Sequence, residues 1–137
     1  MIVWRHLSKA SLSGLGQSGA TAAEFALVIP AFLLLLVGSL QVGITFFNFT
    51  SLQNAVGEGA REATLFPRRT DAEIRSRITA AAFGLAPSRL STPTIVRGTD
   101  NAQDFVDITV DYTVEFNFGV ATFPAVTLSQ TRRAYLP

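Results

Sequence analysis

Glu24 is the only charged side chain between Lys9 and Glu58, and it stands at the front of a long apolar run. A lone carboxylate in that position has two uses. It can neutralise a cation that arrives from elsewhere, because holding it unpaired near a bilayer centre costs about 2.5–3.5 kcal/mol. It can also cap a helix: Thr21-Ala22-Ala23-Glu24 is a capping-box pattern, with Thr21 at N-cap and Glu24 at N3, and the positive helix end favours an acid there. Both readings stand at this stage. Other reactive groups are scarce. There is no cysteine, the single histidine is His6, and the serines lack a base beyond the apolar run, so the sequence does not read as an enzyme. Asp107, Asp111 and Glu115 form an acidic row, but no EF-hand loop accompanies them. They read as a solvated strand face opposite Arg132 or Arg133, and neither a metal nor a cofactor is expected. A net charge of +1 gives no basic surface for nucleic acid.

The element that positions Glu24 is a membrane-length helix. Residues Phe25 to Phe47 carry no charge, and roughly 20 apolar residues suffice to cross a bilayer core. Pro30 lies inside the run and can kink the helix without ending it. Arg5, His6 and Lys9 precede the run, whereas Glu58, Arg61 and Glu62 are the first charges after it. The positive-inside rule then places the N-terminus in the cytoplasm and the C-terminal part outside. A simple signal peptide fits less well, since its apolar core is shorter, roughly 7–15 residues, and small residues follow it.

The junction Ser18-Gly19-Ala20-Thr21-Ala22-Ala23-Glu24-Phe25 resembles the processing site of Flp-type prepilins. The run from Gly19 to Thr64, ending in Gly59-Ala60-Arg61-Glu62-Ala63, resembles the TadE-like pseudopilin domain of tight-adherence (Tad) pilus systems. The front end alone does not separate TadE from TadF relatives. The resemblance implies a prepilin peptidase that cuts between Gly19 and Ala20, leaving Glu24 and Phe25 as the processing and assembly motif. It further implies that Glu24 pairs with the new α-amino group of Ala20, in an adjacent subunit if the assembly is helical.

Past the membrane the helical spacing continues. Phe49, Leu52, Val56 and Ala60 form one stripe, and Ala55, Gly59 and Ala63 form a second made of small residues. Small faces let helices approach closely, either between subunits or within one domain. Pro67 is the expected stop. A second helix is predicted from the capping box Thr70-Asp71-Ala72-Glu73, with Ile74, Ile78, Ala81 and Leu85 on its apolar face and a Glu73–Arg77 pair one turn apart. Gly84 and Pro87 end it. Phe105 to Phe118 alternates as a strand, Val126 to Leu136 reads as its partner, and Thr94 to Arg97 as a short third. Asp100, Asn101 and Asp104 are turn residues by type.

The expected fold is α+β: a cytoplasmic leader at 1–19, a long helix at 20–66 with its transmembrane part at about 25–47, and a small exported domain at 67–137 with a second helix and a two- to three-stranded antiparallel sheet. The resemblance implies a pseudopilin or minor pilin that supports pilus biogenesis, adhesion and biofilm formation. Its partners would be the prepilin peptidase, other pilin-like subunits of TadE, TadF or Flp type, the inner-membrane assembly platform and the lipid bilayer. The competing reading is an unprocessed single-pass envelope protein whose β domain binds a partner.

Overall fold

A computed structural model describes residues 14–116 and 123–137, with side chains at residue 19 and from residue 21 on. The basic flank Arg5, His6 and Lys9, and Phe118 at the end of the predicted strand, lie outside the described residues. The first helix, α1, runs over Gly14–Ala63, 50 residues that pass through Pro30. It ends three residues before the predicted boundary at Phe66. Its last turn tightens, with Thr64 N–H donating to Arg61 C=O and Leu65 N–H to Glu62 C=O, and Thr64 Oγ1 also donates to Arg61 C=O. These bonds close the terminal carbonyls before Pro67 would have to join the ladder.

The second helix, α2, spans Asp71–Ala81 and has the capping box in full. The Glu73 N–H donates to Thr70 Oγ1 at 3.3 Å, and the Thr70 N–H donates to Glu73 Oε2 at 2.8 Å. Because Glu73 is engaged at the cap, the predicted Glu73–Arg77 pair does not form. Arg77 turns instead to Glu58 on α1, at 2.6 Å. The chain leaves α2 through Gly84, whose φ of +76° is readily open to glycine alone among common residues.

Three strands follow: β1 at Thr94–Asp100, β2 at Gln103–Val114 and β3 at Val126–Tyr135. They form one antiparallel sheet in the order β1-β2-β3. A two-residue turn, Asn101 and Ala102, joins β1 to β2 with φ of 48° and 63°, the positive-φ pair that a tight hairpin requires. Alternation on β2 sorts the sheet into two faces. Val106, Ile108, Val110, Tyr112 and Val114 are buried with Leu52, Val56 and Ala60 of α1 and Ile74 and Ile78 of α2. The opposite face is polar, and there the Thr109 and Thr131 hydroxyls meet at 2.9 Å. Helices cover one face of the sheet, so the class is α+β as expected.

By contacts the chain divides into two units, Met1–Gly38 and Ser39–Pro137. In the first, the described part is α1, with Phe25, Leu27, Phe32 and Leu35 all exposed. The second contains the whole core, including the C-terminal part of α1.

Candidate functional site

Gly19, Glu24 and Phe25 all lie within α1. The helix already runs from Gly14 among the described residues, so Thr21 lies inside it and the capping box expected at Thr21 and Glu24 is not formed. Residues 14–20 contain no proline, and extending an established helix costs far less than starting one. The helix therefore runs upstream of Thr21 despite three glycines. A Cβ at Gly19 would meet nothing within 4 Å. Glu24 is exposed and makes no ion pair among the described residues. Ala20 and Glu24 are four residues apart in one helix, which puts them on the same face about one turn from each other.

The helix that carries this motif exposes a long apolar surface among the described residues. Fourteen large hydrophobic side chains between Phe25 and Phe47 are exposed, from Phe25 and Leu27 to Phe46 and Phe47. Fully covering such a side chain is worth about 1.5–3 kcal/mol. These are a little over half exposed on average, so leaving them in water forfeits on the order of 10–25 kcal/mol together. A domain is stable by only about 5–15 kcal/mol. This surface must therefore be covered by lipid or by other protein. By length and composition, the helix Thr21–Ala63 is apolar enough to cross a membrane.

The second predicted cluster, Ala55, Gly59 and Ala63, faces the chain's own fold. Ala55 and Ala63 are core residues, and a Cβ at Gly59 would come within 2.7 Å of Ile78 Cδ1 and closer still to its Cγ1. Gly59 thus lets α2 close onto α1.

In the acidic row, Asp107 and Glu115 take separate arginine partners, whereas Asp111 is tied through its backbone. Asp107 lies across from Arg133 in register and receives both guanidinium arms, at 2.8 and 2.7 Å. Those bonds hold the Asp107 carboxyl below its ordinary range and push Arg133 further up. Arg133 also stacks over the Phe105 ring at 3.8 Å. Glu115 is held by Arg89 at 2.7 Å, while Ser91 Oγ accepts from the Asp111 N–H. Among the described residues, no group of three or more metal-ligating side chains comes together.

Two features escaped the sequence reading. Arg132 pairs in register with Ile108, which places it on the helix-covered face of β3; its Nη1 lies 3.3 Å from the place of a Cβ at Gly57. The parity of β3 against β2 was the available signal. The other is a hollow of about 220 Å³ lined by Val42, Thr45, Phe46, Phe49, Phe116 and Leu128, which depends on a helix–sheet contact with no local sequence trace.

No curated protein and no solved structure matches the chain. The family model of TadE-like proteins matches residues 19–61. That window starts at the glycine before the acidic motif and ends where α1 is embedded in the core. Residues 19–61 are thus a TadE-like segment, consistent with a TadE-like protein of a Tad pilus system.

Proposed function

We propose that the chain is a pilin-like structural or assembly subunit, a pseudopilin or minor pilin, of a Tad (Flp-type) pilus. It is made with a cytoplasmic leader, held in the bacterial inner membrane by residues 25–47, and cut by prepilin peptidase between Gly19 and Ala20. One observation carries the reading: an uncharged, exposed helix surface opens on an unpaired Glu24 within the TadE-like segment. Cleavage would create an α-amino group at Ala20, one turn from Glu24 on the same helical face. In the filament or its initiating complex, that amine neutralises Glu24 of a neighbour as subunits leave lipid. The folded unit Ser39–Pro137 favours an accessory or initiating role over that of the bulk filament protein. Its partners are the peptidase, other pilin-like subunits and the inner-membrane assembly platform; adhesion and biofilm formation follow from the pilus.

Two substitutions separate the parts of this reading. With the peptidase present, Gly19→Leu is expected to leave a full-length precursor where the parent chain is shortened. Glu24→Ala is expected to lower piliation by about tenfold or more even for the chain that is shortened, since it removes the charge partner of the new amine. Normal piliation by Glu24→Ala would remove the assigned role of Glu24.

A further inference from the structure

We infer that the end of the folded unit from which the apolar helix emerges rests in the lipid interface, with Phe83, Phe123 and Val126 entering it beside Phe46 and Phe47. The inference rests on the reading that residues 25–47 span a membrane, and it adds a second lipid contact made by the folded unit Ser39–Pro137.

Three stretches of the sequence carry no charge: on α1 between Glu24 and Glu58, around the end of α2 between Arg77 and Arg89, and from Phe116 to Thr131. Contacts among the described residues bring parts of each to one level of the helix. Ser51 Oγ donates to the Phe83 C=O, and a Cβ at Gly84 would come 2.7 Å from Phe47 Cε1. Those contacts set Phe83 at the level of Phe47 to Ser51. Phe116 and Leu128 line a hollow with Val42, Thr45, Phe46 and Phe49, and the Phe123 N–H donates to the Phe116 C=O at 3.3 Å. Those contacts set the β2–β3 end at nearly the same level. At 3.6 residues per turn, Phe47 points away from Thr45 and Phe49, so the two apolar groups sit on different faces of α1.

Their exposure is high for such side chains: Phe83 is 82% exposed, Phe123 55% and Val126 44%. Asp104 with Arg68, and Asp71 with Arg97, sit at the start of β2 and the start of α2, whereas the Arg89–Glu115 ion pair borders this level beside Phe116, where lipid headgroups can meet it. The first charge on α1, Glu58, comes about 16 Å beyond Phe47 along the helix. That spacing leaves room for the headgroup layer, which is about 5–8 Å deep on each side. Aromatic side chains favour that boundary, where a ring meets both apolar chains and polar groups. Continuity with the exposed apolar span identifies the occupant as lipid.

The chain has no cysteine, so single-cysteine variants carry one label each. Full-length protein labelled at Phe83→Cys, Phe123→Cys, Thr99→Cys or Leu36→Cys is placed in vesicles of phosphatidylethanolamine and phosphatidylglycerol. Spin-labelled lipids then quench the probes, with the spin near the headgroup or deep in the chain. The labels at 83 and 123 are expected to be quenched by headgroup-proximal spins about threefold more than the label at 99. Quenching no greater than at 99, with the label at 36 quenched by deep spins, overturns the inference and leaves the span intact. A label at 36 that deep spins do not reach overturns both. Labels at 83 and 123 shielded from lipid and water alike, and uncovered when protein is diluted into more lipid, would assign the surface to a second copy and also overturn it.

Discussion

At Gly59 two effects of opposite sign compete. Replacing a helical glycine with alanine gains about 1 kcal/mol in helix propensity. Here the new Cβ would press into Ile78, and overpacking a closed core costs about 1–3 kcal/mol. Crowding wins because Ile78 is itself fully buried and cannot move aside. Gly59→Ala is therefore expected to lower stability by up to about 2 kcal/mol in denaturant titrations. Ala102 gives the converse case. Its φ of 63° is left-handed, a conformation that costs an alanine about 1–2 kcal/mol. Ala102→Gly should stabilise the β1–β2 hairpin by about 0.5–1 kcal/mol, read as a higher melting temperature. The small residues at 55, 59 and 63 were legible as a close-packing face. Whether that face served another subunit or the chain's own fold was not, because spacing alone does not name the element that fills it.

Among the elements, the capping box of α2, the alternation of β2 and its pairing with β3 were all readable from residue type and period. The start of α1 was not, because the capping signal at Thr21 competes with cooperative extension upstream, and extension prevails. The Glu73–Arg77 pair failed for a related reason: the cap took Glu73, and Glu58, distant in sequence, took Arg77. Elements are also where acid sensitivity arises. Asp107, bonded by Arg133, Asp104, bonded by Arg68, Glu58, bonded by Arg77, and Glu73, bonded by the Thr70 backbone, are all held below their ordinary range. Unfolding returns them to about 3.9–4.3, so the folded chain binds fewer protons than the unfolded one. Their contribution is full above those values and is lost as pH falls through the lowered ones. Stability should accordingly decline below about pH 4.5, and Asp107→Asn should flatten that decline, as melting curves at stepped pH would register.

For the molecule as a whole, the segregation of surfaces organises the account. The apolar helix surface at 25–47 is too large to leave in water, the folded unit buries its own small-residue face, and its polar sheet face is closed by paired ions. Glu24 makes no ion pair among the described residues and stands one turn from Ala20, where the proposed cut would leave an amine. Sequence made this candidate legible because a single charge in a long uncharged run is conspicuous. The orientation of Phe83 and Phe123 around α1 needed the tertiary contacts. The most direct test is the N-terminus and intact mass of the protein recovered from native membranes of cells that contain the prepilin peptidase. The account predicts a chain that begins at Ala20; one that still begins at Met1 would contradict it.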